Sequence, residues 1–166
     1  MGDHQQIFRE LVRDHGALIA RIAASYEADP ELARDLAQEI LLAVWRAVPT
    51  FREQSSWRTY IARIAHNRAV THVARAAGRP ISVEMPESLE CPAPLPEAVA
   101  LEGDRWRSVL LAVQQLPIAY RQVATLTLEG FTPAEVAQIL GLSVNAVAIR
   151  STRARALLRA LLSESS

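Results

Sequence analysis

The sequence predicts an all-α protein: two small helical domains joined by a flexible Pro-rich linker, the second containing a helix-turn-helix. Three observations carry this. Aromatics are only 5% of a chain that is 50% hydrophobic, so the apolar mass is Ala, Leu, Val and Ile, which favours helices over sheets. Apolar residues recur at helical spacing in two separate blocks. Between the blocks lie Pro80, Pro86, Pro92, Pro94 and Pro96, five of the nine prolines, with no helical period. The domains are expected over residues 1–79 and 98–166, with the linker over 80–97, and each is small for a stable domain on its own.

A formal net charge of zero conceals an uneven distribution. Met1 to Arg79 carries 11 Arg against 9 acids, Pro80 to Asp104 has 6 acids and no base, and Arg105 to Ser166 has 7 Arg against 3 acids. An acidic segment thus separates two mildly basic blocks. All 18 basic residues are Arg, which suits bidentate phosphate and guanine contacts, although GC-rich coding DNA gives the same bias. The single Cys91 excludes an internal disulfide and points to a reducing compartment. No signal peptide and no apolar run long enough for a bilayer is visible, so a cytoplasmic protein without membrane insertion is expected. No nucleophile–base pair, metal set or phosphate-binding glycine loop occurs, so neither an enzyme nor a cofactor is expected.

In the first block, Ile7, Phe8, Leu11, Val12, Leu18, Ile19, Ile22 and Tyr26 form one helical stripe, with Gly16 a candidate break. Asp29-Pro30 reads as a cap and first-turn pair, opening a helix that Pro49 stops. Its apolar side is expected to use Leu32, Leu36, Ile40, Leu41, Val44 and Val48. Asp35, Gln38, Glu39, Leu42 and Arg46 line another stripe of the same helix. Acids, an amide and an outward Leu suit a docking surface, and a solvated helix face has the same composition. As a metal pair, Asp35 and Glu39 lack a third ligand nearby. After the loop Pro49 to Ser56, a helix capped by Ser55 or Ser56 runs from Trp57 to about Gly78, burying Tyr60, Ile61, Ile64, Ala65, Ala69 and Val73. It carries Arg58, Arg63, Arg68 and Arg75, with Arg79 just beyond, and no acid falls between Glu53 and Glu84. Arginines interleaved with Phe51, Trp57, Tyr60 and Asn67 suit a strand of nucleic acid: guanidiniums engage phosphates, while aromatic faces and amides engage bases. Trp57 and above all Tyr60 also fit a core. His66 and His72 lack metal-ligand companions and read as surface or hydrogen-bonded residues.

In the second block, Val99, Leu101, Trp106, Val109, Leu110 and Val113 set a helical period from Glu97 to Gln115, broken at Leu116-Pro117. A helix from Pro117 to Glu129 follows, with Tyr120, Val123, Leu126 and Leu128 apolar and Gly130 at its end. Thr132 can then cap a short helix, with Pro133 in its first turn and Glu135 completing a capping box. Val136, Ala137, Ile139 and Leu140 give its apolar face. Gly141 allows a left-handed residue, and Ser143 can cap a longer helix bearing Arg150, Arg153, Arg155 and Arg159. No acid lies between Glu135 and Glu164. This is a helix-turn-helix whose second helix fits a DNA major groove; the plainer reading is a solvated basic face on a helical hairpin.

The order of features, DLAQEILLAVWRA, then FREQSSWRTYIARIAHNRAV, then a Pro-rich linker, then LPIAYRQVATLTLEGFTPAEVAQILGLSVNAVAIRSTRARALLRALL, closely resembles the extracytoplasmic-function (ECF) sigma factors of bacterial RNA polymerase over nearly the whole chain. The resemblance implies a dissociable subunit that recognises and melts promoters, with no covalent chemistry of its own. It implies that Asp35, Gln38 and Glu39, with Leu42 and Arg46 on the same stripe, dock on the coiled coil of the polymerase largest subunit. Phe51, Arg52, Ser55, Ser56 and Trp57 fall in the loop that receives a flipped base of the minus-ten element; Asn67 helps to read that element, with Arg63, Arg68 and Thr71 close by. Ser143, Asn145, Arg150, Thr152 and Arg153 fall at minus-thirty-five recognition positions, and the acidic linker matches a segment that threads toward the polymerase cleft. Beside core RNA polymerase and promoter DNA, an anti-sigma factor is a partner that the resemblance suggests.

Two departures stand out. Where a Gly-Thr-Val-Lys/Arg-Ser-Arg run is common, this chain has Asn145-Ala146-Val147-Ala148-Ile149-Arg150, which implies weaker binding or a different minus-thirty-five sequence. Where Gly-Asp or Gly-Glu is frequent in the base-reading loop, it has Glu53-Gln54, so the loop backbone is expected to follow another path. Two rival readings remain at this point. A helix-turn-helix regulator acting without polymerase leaves the Asp35 stripe unexplained, and a helical sequestering protein makes the arginines dispensable.

Overall fold

Two compact units, Met1–Val99 and Ala100–Ser166, make up the chain in a computed structural model that describes residues 2–78 and 103–165. Among the described residues the regular structure is seven α-helices and one 3₁₀ turn, with no strand. The linker expected over 80–97, Arg79, and the helical start expected from Glu97, with Val99 and Leu101, lie outside the described residues.

In the first unit α1 (Gly2–Tyr26), α2 (Pro30–Ala47) and α3 (Trp57–Ala76) each pack on the other two. Their shared core is built from Phe8, Ile19, Ile22, Leu36, Ile40, Leu41, Val44 and Ile61, all at most 1% exposed. α1 does not break at Gly16, which is buried within it. A mid-helix glycine costs about 1 kcal/mol, and the long buried stripe on either side outweighs that. The Asp29 carboxylate accepts the Glu31 and Leu32 N–H groups at 2.9 and 3.2 Å and so caps α2. Pro49 ends that helix through the 3₁₀ turn Val48–Thr50. Leu32, expected inside, is 47% exposed: it shares a helix side with Asp35 and Glu39, at spacings of three and four.

In the second unit α7 (Val144–Glu164) packs against α4 (Asp104–Gln114), α5 (Ile118–Leu128) and α6 (Pro133–Leu140). The Arg121 guanidinium reaches back to the end of α4, donating to the Gln114 carbonyl at 2.6 Å and to the Leu116 carbonyl at 3.0 and 3.2 Å. The Gln114 carbonyl is one that the helix terminus leaves unpaired, and a cation beside it also complements the helix dipole. Leu128, expected in the core, is exposed at the last position of α5: the apolar period runs one residue past the covered stretch.

Candidate nucleic-acid interface

The turn of the second unit is built as its residues dictate. The Thr132 hydroxyl accepts the Glu135 N–H at 3.2 Å while the Glu135 carboxylate accepts the Thr132 N–H at 2.9 Å. Gly141 sits at φ 68°, the left-handed region glycine enters without strain, and the Ser143 hydroxyl accepts the Ala146 N–H at 3.0 Å to start α7. Only Val147 and Ala154 of α7 are buried. Opposite them Asn145, Ala148, Ile149, Thr152 and Ala156 are exposed along one face, flanked by the exposed Arg153 on one side and Arg155 and Arg159 on the other. Arg150 is half-buried, toward the packed side. The Thr152 hydroxyl donates to the Ala148 carbonyl at 3.0 Å. Of the sequence-derived set, Asn145, Thr152 and Arg153 therefore share the open face, Ser143 is engaged as a cap, and Arg150 sits at the margin. Arg155 and Arg159 join that face although the motif comparison gave them no role; their helical spacing from Thr152 was the available signal.

In the first unit the loop before α3 is closed by an aromatic cluster. Phe51 stacks on Trp57 at 3.7 Å between centroids, and both contact Tyr60, at 5.0 and 6.1 Å. Tyr60 is half-buried in this cluster rather than in the core. Ser56, not Ser55, is the cap: its oxygen accepts the Thr59 N–H at 3.1 Å and its hydroxyl donates to Thr59 Oγ1 at 3.1 Å. The hydroxyl hydrogen of Ser56 is thus committed within the helix start. Ser55 Oγ donates to the Ser56 carbonyl at a long 3.3 Å. Arg52 and Glu53 are exposed, and Glu53 adopts φ 54°. At this position the glutamate takes the left-handed conformation that a glycine would favour.

Along α3, Arg63, Asn67 and Thr71 recur every four residues and continue from Tyr60 on the side opposite the buried Ala62, Ala65 and Ala69. Asn67 is exposed, and the Thr71 hydroxyl donates to the Asn67 carbonyl at 3.0 Å. Arg68 is half-buried on the flank of this row.

On α2, Asp35 is exposed and Gln38, Glu39, Leu42 and Arg46 are half-buried along one side, opposite the buried Leu36, Ala37, Ile40, Leu41 and Val44. The exposed Leu32 extends this stripe. One Arg46 guanidinium nitrogen is buried with no hydrogen-bond partner among the described residues.

Two histidines are tied into the first unit. The Tyr26 hydroxyl lies 3.4 Å from His66 Nδ1, and burial pushes the His66 imidazole down to about 4, so it is neutral near pH 7. His72 Nε2 donates to Glu27 Oε2 at 2.7 Å. Burial alone would raise the Glu27 carboxyl, but hydrogen bonds from His72 and from the Asp29 N–H outweigh it and hold it below the usual carboxylate range. The described residues contain no group of three His, Cys, Asp or Glu placed to hold a metal.

The comparisons with known proteins follow the same division. The Sigma-70 region 2 family profile matches residues 11–79, and the Sigma-70, region 4 profile matches residues 106–158. The RNA polymerase sigma factor CnrH of Cupriavidus metallidurans is 33% identical over 96% of this chain and 88% of its own length. The ECF RNA polymerase sigma-E factor of Escherichia coli is 29% identical, over 91% of this chain and 84% of its own length. The chain belongs to the ECF sigma factors. Among solved structures, CnrH in complex with the cytosolic domain of CnrY superposes with a TM-score of 0.71 at 29% identity, covering 98% of this chain and 91% of that one. The sigma factor RpoE of Bartonella quintana, in complex with the anti-sigma factor NepR, shares the fold at 20% identity and a TM-score of 0.67, covering 98% of both chains. This sigma factor is therefore an alternative, promoter-directing subunit for transcription initiation, and the arginine-bearing α3 and α7 fall in its region 2 and region 4 segments respectively.

Proposed function

We propose that this sigma factor divides its work between its two units, the first docking on polymerase and reading the minus-ten element, the second reading the minus-thirty-five element. What carries the reading is the pair of arginine-bearing helices, one in each unit, whose polar rows face away from their own cores. The stripe Asp35, Gln38, Glu39, Leu42 and Arg46, extended by Leu32, meets the coiled coil of the polymerase largest subunit. The row Arg63, Asn67 and Thr71, beside the Phe51–Trp57–Tyr60 cluster, holds the unpaired minus-ten strand, with Arg52 and Arg68 near its phosphates. Stacking and capture of extruded bases offset the few kcal/mol of unstacking. The open face of α7 enters the major groove of the minus-thirty-five element. The protein contributes no catalytic group, acts in the cytoplasm beside the core enzyme, and is held in reserve by an anti-sigma factor. The structures of CnrH and of the Bartonella protein, each with a partner chain, support that last step.

Reconstitution with core polymerase tests this, read as core binding and as permanganate reactivity of unpaired thymines on promoters varied through the minus-ten element. Asp35→Arg with Glu39→Arg should abolish core binding and opening while leaving stability within about 0.5 kcal/mol, because the stripe lies outside the core. Asn67→Ala should bind core normally and open DNA, but change preference at one minus-ten position by about 1–3 kcal/mol. Normal core affinity in the folded double variant, or unchanged preference in Asn67→Ala, overturns the respective assignment.

A further inference from the structure

No basic residue stands on the open α7 face from Asn145 to Thr152. Ile149 is 47% exposed there, between Asn145, Ala148 and Thr152, while the exposed Arg153, Arg155 and Arg159 stand to its sides. An isoleucine neither donates nor accepts a hydrogen bond. In the major groove the one base-edge feature it can recognise favourably is the C5 methyl of thymine. Against guanine, adenine or cytosine it would cover polar edge atoms without pairing them, which costs free energy. Its neighbours allow a close approach: Ala148 and Ala156 are small, and the flanking arginines are placed to reach phosphates on both groove walls. Thr152 points the same way. Its hydroxyl hydrogen is spent on the Ala148 carbonyl at 3.0 Å, so it cannot donate to a base acceptor without breaking that bond.

We infer that Ile149 makes the minus-thirty-five readout of this sigma factor thymine-selective at one position, by contact with the thymine methyl. The inference rests on α7 being the minus-thirty-five reader and adds which base it demands and through which atoms. It also gives the Ala148-Ile149 pair, which lacks the basic and small polar side chains common in the family, a positive role in specificity.

The test uses the full chain with core polymerase and a promoter template randomised through the minus-thirty-five region. Bound templates are selected, and each thymine of the preferred sequence is then replaced singly by deoxyuridine, which removes the methyl and leaves the hydrogen-bonding edge intact. One position should lose about fourfold in binding, the worth of one buried methyl-sized group. Ile149→Ala, exposed and so expected to keep its helix content by circular dichroism, should make that position indifferent to the swap. If the wild type selects a sequence but no single swap weakens it, or Ile149→Ala stays equally sensitive, the thymine inference fails while α7 remains the reader. If the wild type selects no minus-thirty-five sequence at all, both fail.

Discussion

α3 and α7 are nearly the same length and carry four arginines each, yet they are held very differently. α3 lies against two long helices and buries Thr59, Ile61, Ala62, Ala65, His66 and Ala69. α7 spans 21 residues and buries two, Val147 and Ala154. The difference matches the shape each is proposed to meet. A single strand lies across one side of a helix, so α3 can give most of its circumference to the core and keep one row outward. A major groove surrounds a helix on three sides, so α7, although it touches α4, α5 and α6, keeps most of its residues at least partly open. Burying six residues of α3 pre-organises the row proposed to capture bases, which would lower the ordering cost of capture.

The sharpest way to break this comparison is to make one chemical change in both helices. Ile61 is 0% exposed and Ile149 is 47% exposed. Ile61→Ala should cost the first unit about 2–5 kcal/mol, from lost burial and the cavity left behind. Ile149→Ala should change the stability of the second unit by less than about 0.5 kcal/mol. Urea midpoints read separately from amide resonances of α3 and α7 give both numbers in one titration. Comparable losses in the two units would refute the claim that the α7 face around Ile149 contributes nothing to its own core.

Acid should separate the units next. All four histidines, His4, His15, His66 and His72, belong to the first unit. Burial holds folded His66 at about 4, below its ordinary 6.5, so the unfolded chain takes up the proton first as pH falls. The associated stability is complete above pH 6.5 and is lost progressively down to pH 4, about 3 kcal/mol at 1.36 kcal/mol per unit. His15, lowered chiefly by burial, adds to this in the same direction. Glu27, with its depressed carboxyl, loses its own contribution at still lower pH. Between pH 7 and pH 4 the urea midpoint of α3 should therefore fall well ahead of that of α7, and His66→Gln should remove most of the difference.

The features legible in the sequence were those decided locally. Asp29-Pro30, Thr132 with Glu135, Gly141 and Ser143 each act within one turn of chain, and each does what its residue type predicts. Periodicity also placed the Asp35 stripe on the outer side of its helix, whereas the family resemblance singles out Asn67, and its row with Arg63 and Thr71 emerges only in the structure. Periodicity failed where the answer depended on how far a neighbouring helix reaches: Leu32 and Leu128 lie exposed at helix ends beyond the reach of the described helices, and Gly16 stays helical because packing overrides its propensity. Hydroxyls were the other blind spot. Ser56, Thr71 and Thr152 have the composition of base-contacting residues, yet their hydrogens are spent on Thr59 Oγ1 and on the carbonyls of Asn67 and Ala148. Which partner a hydroxyl takes is settled by rotamer and backbone together, and composition carries neither.

The smallest expected effect sits in the loop that feeds α3. Glu53 holds φ 54°, where a side chain costs about 1–2 kcal/mol relative to glycine. Glycine loses about 0.5–1 kcal/mol more chain entropy on folding, so Glu53→Gly should stabilise the first unit by only about 0.5–1 kcal/mol. Glu53 is also exposed, and in sequence it is the last acid before the arginine-bearing α3, whose arginines would hold phosphates. Glu53→Gln separates the two effects, since it removes the charge and keeps a side chain at positive φ. Both variants should bind minus-ten strand DNA more tightly at low salt, by equal amounts that vanish as salt is raised. Only Glu53→Gly should raise the urea midpoint of α3, and neither should move that of α7. If Gln and Gly stabilise equally, the gain comes from charge, and the left-handed backbone of this loop is held without strain. A glutamate held at positive φ at that cost points to the aromatic cluster behind the loop as what shapes it. On that view Phe51→Ala, which removes the stack on Trp57, should release Glu53 from positive φ, as a change in its HN–Hα coupling would report.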